Sequence, residues 1–580
     1  MKAYDKYLFW LENDYFDDVT KEELASIKDN MEEIEERFYR DLEFGTAGLR
    51  GIIGAGTNRI NKYIVRKVSQ GIANYINKKG SNAAARGIVI AYDSRHKSPE
   101  FAMEAALVFA GNGIGAWLFD ELRPVPVLSF TIRYLKAAAG IAITASHNPK
   151  EYNGYKVYGE DGAQLLPDES DLLLNEIDMI KDFSQVKIME QGKALQTGLL
   201  QIIGKEIDDR YIDVLKTYCL NPDIICKQSD TFKIIYTPLN GAGNKPVRRI
   251  LNEIGFKNVF VVKEQEEPNP DFPTVKTPNP EDESVFKIAL EMAKRNDADL
   301  IIGTDPDSDR VGIMAKDNNG SYTSFTGNQI GCLMLEYILS QKSLKGSLPS
   351  NGFIVKTIVT TELAKAIAKK YHIKVVEVLT GFKFIGEKIR LLDENGDKKY
   401  LLGFEESYGY LAGTYARDKD AVSAAMIIAE MAAYYKSLGK TLMEVFEEIY
   451  GNYGFTDVEV ISFTLEGKEG LEQIQSIMEK LRKDSNLKLD GYEIYAIRDY
   501  LTGERYVLKS GEREDLGLPE SNVLYYELDD ESWFCIRPSG TEPKIKIYIE
   551  VFGNDKTHAA EKLKDLNGKV LDILNKCCSI

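Results

Sequence analysis

Short β-rich apolar runs at residues 87–91, 116–119 and 140–144 mark the first third of the chain, and a helical period over 99–110 falls between the first two. The same order recurs further on. Runs at 232–236, 259–262 and 300–303 alternate with amphipathic stretches at 245–254 and 283–295, and runs at 353–357, 374–378 and 400–402 alternate with 361–371 and 382–392. Strands alternating with helices predict three α/β units with mainly parallel sheets, which offer ligands the loops at the carboxyl ends of their strands. From about Tyr453 the pattern changes to strand-like 458–463, 533–536 and 544–551 with helical 468–483 and a charged terminal helix, which predicts a smaller α+β unit. The expected division is 1–205, 206–321, 322–452 and 453–580, with the three α/β units offering loops to a shared site. The first forty residues, with Leu24, Ile27, Met31 and Ile34 among acidic neighbours, predict an amphipathic helix lying on the first domain.

Charge narrows the partners. Lys+Arg 73 against Asp+Glu 90 leaves −17 over 580 residues, a surface that repels nucleic acid and anionic membranes, so an anionic ligand needs a locally basic pocket. The N-terminus has no basic start followed by an apolar stretch. The longest apolar runs, 137–145 and 421–433 with Glu430 inside it, fall short of the roughly 18 residues of a spanning helix. A soluble cytoplasmic protein is expected. Six cysteines without CxxC spacing predict reduced thiols used as buried filler.

Two motifs are decoys. Gly111, Gly113 and Ala116 fit a loose G-x-G-x-x-A but follow a helix and precede a strand, the reverse of the dinucleotide context, so a helix C-cap is the better reading. Gly439-Lys440-Thr441 has Tyr434 five residues before Gly439, so it lacks the glycine cradle of a P-loop.

Four other segments carry chemistry. Thr144-Ala145-Ser146-His147-Asn148-Pro149 leaves an apolar strand at its carboxyl end and offers a serine nucleophile, with His147 and Lys156 near enough in sequence to handle its proton. A serine turn ending the strand is the competing reading. Asp305, Asp307 and Asp309 alternate after the strand at 300–302, followed by Arg310. Carboxylate oxygens with room left for a phosphate oxygen suit Mg²⁺. An EF-hand is excluded, because its glycine and glutamate positions hold Arg310 and Lys316. Glu405-Glu406-Ser407 presents acceptors and a hydroxyl suited to vicinal sugar hydroxyls. Arg537-Pro538-Ser539-Gly540-Thr541 offers a guanidinium fork, hydroxyls and backbone N–H groups to a phosphate.

Together these segments resemble the α-D-phosphohexomutase family, one motif per unit and in the family's order, which implies three related α/β domains and a smaller C-terminal α+β domain around a central cleft. The resemblance implies that Ser146 carries a phosphoryl group and that Mg²⁺ is held by Ser146, Asp305, Asp307 and Asp309. It implies Lys156 as general acid/base, with Arg50, His147 and Arg310 neutralising charge. Glu405 and Ser407 would clamp the sugar, with Thr380, Gly381 and Lys383 forming a further substrate loop. Arg537, Ser539, Gly540 and Thr541 would bind the remote phosphate. The implied reaction interconverts α-D-glucose 1-phosphate and glucose 6-phosphate through glucose 1,6-bisphosphate. Tyr408 after Ser407 resembles the glucose branch, where the dual mannose/glucose branch commonly has histidine; the Gly45–Gly51 stretch and the long N-terminus resemble a branch that includes phosphopentomutases, so mannose and pentose phosphates are the alternatives. A metal-dependent phosphatase would leave Ser146 and the Arg537 loop without roles, and a non-catalytic phosphosugar binder would not need the acidic triad.

Overall fold

The computed structural model describes residues 2–578 apart from 46–47, 394–395, 397, 466, 485–486 and 540–543. The chain forms two compact units, Met1–Ile354 with Phe382–Leu442, and Val355–Gly381 with Met443–Ile580.

In the first unit, a seven-stranded sheet runs in the order Phe44–Gly45, Gly48–Ile52, Tyr152–Tyr158, Ala139–Ile143, Ile88–Tyr92, Ala116–Phe119, Leu200–Ile203. Its last four strands are parallel, as the alternating pattern predicts. The strands at 48–52 and 152–158 are antiparallel additions that the pattern does not reveal. The core strand Ala139–Ile143 is buried along its whole length and flanked by helices including Ser98–Gly111, so it reads as a continuous apolar run. A second, five-stranded sheet repeats the mixture, with Lys233–Thr237, Asn258–Val261 and Leu300–Thr304 parallel and Val311–Lys316 and Tyr322–Ser324 antiparallel. The hairpin Lys399–Glu405 and Gly409–Leu411 follows.

The apolar stretch interrupted by Glu430 is the helix Ala421–Ser437, buried on nearly every side. Its charged residue caps backbone from another segment. Glu430 accepts the N–H of Leu220 at 2.8 Å, that of Asn221, and the Tyr337 hydroxyl at 2.9 Å, while burial pushes its pKa up.

The N-terminal region differs from the expected single helix. Ala3–Glu12, Asp18–Ser26 and Met31–Phe38 are three helices around their own aromatic cluster. Trp10 is 2% exposed, stacked on Phe16 at 4.2 Å and edge-on to Phe38, Tyr63 and Phe183. Tyr63 lies on the helix Lys62–Lys78, so the cluster anchors the extension to the first sheet's helical layer. Trp10→Ala is expected to destabilise this unit by about 3 to 5 kcal/mol, read as a lower midpoint in urea unfolding; an unchanged midpoint contradicts the anchoring.

The second unit holds a seven-stranded antiparallel sheet, ordered Phe455–Thr464, Lys544–Gly553, Trp533–Pro538, Leu524–Leu528, Ile494–Asp499, Glu504–Val507, Arg513–Asp515. The helices Gly467–Lys483 and Lys556–Cys578 contribute to its core. Residues 355–381 join it because the buried carboxylate of Glu550 accepts the Thr361 hydroxyl, the Glu362 N–H at 2.8 Å and the Trp533 indole N–H at 2.9 Å. None of the six cysteines forms a disulfide, but only Cys332 and Cys535 are buried; Cys226 is exposed and the others are half-buried, so buried filler describes only part of the set. No helix among the described residues is long and apolar enough to cross a membrane.

Candidate active site

Ser146 stands just beyond the strand Ala139–Ile143, 3% exposed, with its backbone at φ 50°. That left-handed conformation is uncommon for a residue with a side chain. It is held locally: Thr144 Oγ1 accepts the Ser146 N–H at 2.8 Å and donates to Asp307 Oδ2 at 3.1 Å. Ser146 Oγ donates to Asp305 Oδ2 at 2.7 Å and lies 3.2 Å from His147 Nδ1. Burial, with the Arg310 and Arg50 guanidinium groups, pushes the half-buried His147 well below its ordinary pKa. Arg50 Nη1 donates to Asn148 Oδ1 at 2.7 Å, which sets Arg50 on the same loop.

The antiparallel strand Tyr152–Tyr158 supplies the next group. Its register pairs Lys156 with Ala142, and the Thr144 N–H continues the ladder onto the Gly154 carbonyl at 3.1 Å. A Cβ at Gly154 would stand 2.4 Å from the Thr144 carbonyl oxygen, so this close approach behind the serine loop requires glycine. Lys156 Nζ thereby reaches Asp307 Oδ2 at 2.8 Å and Asp309 Oδ2 at 3.4 Å.

The acidic loop turns between Leu300–Thr304 and Val311–Lys316. Asp305 Oδ1 accepts the N–H groups of Asp309 at 3.1 Å and Arg310 at 3.0 Å, curling the loop around its first carboxylate. Four backbone bonds fix its outer edge: Val125 N–H to the Asp307 carbonyl, Ala242 to Pro306, Ala421 to Ser308, and Val311 to the carbonyl of Tyr408. The last bond brings the 405–410 segment beside the triad.

Asp305, Asp307 and Asp309 are buried, and one carboxylate oxygen from each lies within 4.8 Å of the others. Burial, then Asp307 and Asp309, push Asp305 well above the usual carboxylate range. Burial opposes the charge of Asp307 and Asp309 too, but Lys156 holds the first down, and Lys419 with Lys156 and Arg310 holds the second down. Lys419 Nζ is 2.9 Å from Asp309 Oδ2. Burial lowers the affinity of Lys156 for its proton, but the two carboxylates outweigh it and the group stays an ammonium. Asp307 Oδ1 and Asp309 Oδ1 are buried acceptors without a hydrogen-bond partner among the described residues. Unpartnered carboxylate oxygens converging in a buried loop fit a hard divalent cation, which the acidic triad could bind.

The remaining expected residues divide. Glu405 is buried at the end of its strand, and its carboxylate acts on both Lys419 and Arg310. Ser407 is half-buried in the following turn, before Tyr408 at φ 63°. Arg310 forms an ion pair with Glu281. Lys383 begins the helix Phe382–Asp393, and burial pushes its pKa down to about 8. Thr380 and Gly381 belong to the second unit, as do Arg537 and Ser539. There Arg537 Nη2 donates to the Tyr548 hydroxyl at 3.1 Å, and the Ser539 N–H bonds the Lys544 carbonyl at 2.8 Å. Gly540 and Thr541 lie outside the described residues, as do residues 46–47 of the Gly45–Gly51 stretch.

Sequence reasoning placed Thr144 in the serine motif without a role of its own, and missed Lys419, Glu281 and the pair Asp93 and Arg95. The last two had a signal: they follow the strand Ile88–Tyr92 at its carboxyl end, where the other site loops begin.

Domains I, II and III of the phosphoglucomutase/phosphomannomutase alpha/beta/alpha series match residues 41–183, 209–320 and 326–453, and the C-terminal domain of the same family matches 466–565. A phosphoglucomutase of Staphylococcus aureus is 41% identical over 532 residues, covering 91% of this chain and 93% of its own. That of a second strain is 40% identical over 537 residues, covering 92% and 94%. Among solved structures, parafusin of Paramecium, described as a phosphoglucomutase, superposes with a TM-score of 0.66 at 17% identity, over 93% of this chain and 96% of its own. A phosphoglucomutase/phosphomannomutase family protein from Burkholderia thailandensis gives 0.64 at 17%, over 90% and 96%. Both share the fold.

Proposed function

The chain belongs to the phosphoglucomutase/phosphomannomutase family, and from that premise we propose that it interconverts α-D-glucose 1-phosphate and glucose 6-phosphate through phosphoserine at Ser146. The observation that carries this reading is the Ser146 hydroxyl, buried and 2.7 Å from the first carboxylate of the acidic triad, in a chain 41% identical to a phosphoglucomutase.

Asp305, Asp307, Asp309 and the phosphorylated Ser146 would hold Mg²⁺, which when bound offsets their negative charge and polarises the transferring group. The protein's own groups position the reactants and manage protons. In the first transfer a sugar hydroxyl oxygen forms the new bond to phosphorus as the bond between phosphorus and Ser146 Oγ breaks; the Lys156 ammonium gives a proton to Ser146 Oγ and takes up the proton of the sugar hydroxyl, while His147 stays neutral beside the serine. The return transfer reverses both protons: the Lys156 ammonium protonates the departing sugar oxygen and takes up the serine proton as Oγ attacks glucose 1,6-bisphosphate. Arg50 and Arg310 complement the phosphate charge as the loose transition state passes. Glu405 and Ser407 hold sugar hydroxyls in either orientation, and Thr380, Gly381 and Lys383 are assigned as a further substrate loop. Arg537, Ser539, Gly540 and Thr541 receive the phosphate that is not reacting.

Incubation with glucose 1,6-bisphosphate and Mg²⁺ is expected to add one phosphoryl group to the peptide containing Ser146, seen by mass spectrometry, and glucose 6-phosphate is expected to remove it. A label elsewhere, or none, contradicts the mechanism. Arg537→Ala removes a charge-assisted phosphate contact worth about 1.5 to 3 kcal/mol, so KM for glucose 1-phosphate is expected to rise about 10- to 150-fold. An unchanged KM in steady-state assays excludes this loop from the site.

A further inference from the structure

Arg95 is 1% exposed, and the hydrogen bonds of its guanidinium go to backbone carbonyls. Its guanidinium is occupied by one neighbouring loop. Nη1 donates to the carbonyls of Pro149 at 2.8 Å and Tyr152 at 3.0 Å, and Nη2 donates to those of Ser146 at 2.5 Å and Asn148. Four bonds from one planar group therefore collect the carbonyls of the nucleophile and the turn that follows it. Nε faces the buried carboxylate of Asp93 at 3.4 Å. Asp93 Oδ1 in turn accepts the Arg95 N–H at 2.9 Å and the Ser98 hydroxyl at 2.8 Å. The Phe272 ring, from the proline-rich segment of the second sheet's domain, covers the guanidinium at 5.2 Å.

Resting on the mutase reading above, we propose that Arg95 is the positioning residue of the nucleophile: its fork fixes the 146–152 loop so that Ser146 keeps its left-handed backbone with Oγ on Asp305. The carbonyls gathered here converge, and converging carbonyl dipoles repel unless a multiple donor sits between them. A lysine at this position would retain the charge but has three donors on one tetrahedral nitrogen and cannot span four acceptors on a planar fork. The geometry matters because a displacement of about 1 Å of a reacting group costs about 100-fold in rate. Phe272 and Asp93 hold the fork itself, one by its face and one by its edge.

The test is single-turnover transfer. Wild-type, Arg95→Lys and Phe272→Leu proteins are phosphorylated on Ser146 with glucose 1,6-bisphosphate, mixed with excess glucose 1-phosphate and Mg²⁺, and quenched at intervals to follow phosphoserine by mass spectrometry. In folded Arg95→Lys the transfer rate is expected to fall about 100-fold, and in Phe272→Leu about 5- to 10-fold. KM for glucose 1-phosphate is expected to stay within about threefold, because neither change removes a group assigned to sugar binding. A purely structural role would lower the folded fraction and leave the rate of the folded protein alone, so a rate within threefold of wild type in Arg95→Lys overturns the proposal. If Arg95→Lys does not fold, an unaltered rate in Phe272→Leu overturns it. Wild-type protein that takes up or transfers no phosphoryl group contradicts the mutase reading instead.

Discussion

Ser146→Ala is expected to lower kcat for glucose 1-phosphate by at least about 10⁴-fold, a loss of about 5 kcal/mol of transition-state stabilisation. The change deletes the only atom of this loop placed to carry the phosphoryl group, the Oγ that donates to Asp305 and faces His147. It leaves Thr144 and its two hydrogen bonds in place, so the loop keeps its local support. Binding of glucose 1,6-bisphosphate is therefore expected to persist while turnover disappears, which equilibrium titration and a coupled glucose 6-phosphate assay measure on the same sample. Substantial turnover in the variant would mean that another group carries the phosphoryl group.

Asp307→Asn is expected to be nearly as severe, lowering kcat by about 10² to 10³-fold. Asp307 has three tasks in the structure. Its Oδ2 accepts from Lys156 at 2.8 Å and from the Thr144 hydroxyl at 3.1 Å, and its Oδ1 is a buried acceptor aimed at no described donor. An amide keeps the shape but removes the charge that holds Lys156 as an ammonium and supplies a ligand to the cation. The Mg²⁺ concentration for half-maximal activity, titrated after EDTA treatment, is expected to rise about 10- to 100-fold. An unchanged Mg²⁺ requirement would place the cation elsewhere. For the wild type, EDTA alone is expected to abolish activity and added Mg²⁺ to restore it.

Much of this site was legible because strand ends are legible. The apolar run Leu300–Thr304 stops at three aspartates and an arginine, and the run Ala139–Ile143 stops at Thr144-Ala145-Ser146. In both places the sequence turns from apolar to polar over one or two residues while the chain stays buried, at the strand end where α/β folds put their chemistry. What stayed hidden depended on pairing between distant segments. Nothing in Tyr152–Tyr158 announces an antiparallel strand whose register sets Lys156 opposite Ala142. Lys419 sits in a polar segment of ordinary composition, and bonds between distant segments, from Asp420 to Tyr410 and from Ala421 to Ser308, hold the backbone beside it where its ammonium meets Asp309. Arg95 is similar: an arginine after a strand is commonplace, and its four carbonyl partners lie 51 to 57 residues away in sequence. The N-terminal helices were misread for a local reason. Asp17 and Asn30 cap separate helices through their side chains, accepting the N–H groups of Thr20 and Glu33, and these two stops break what the hydrophobic spacing alone extends into one helix.

The choice of sugar rests on the segment from Glu405 to Tyr408. Glucose 1-phosphate, mannose 1-phosphate and ribose 1-phosphate, each with Mg²⁺ and a catalytic amount of the matching sugar bisphosphate, should be ranked by kcat/KM on the wild-type protein. A large advantage for glucose 1-phosphate is the predicted result. A higher value for ribose or mannose phosphate, or release of inorganic phosphate in place of an isomerised product, would contradict it.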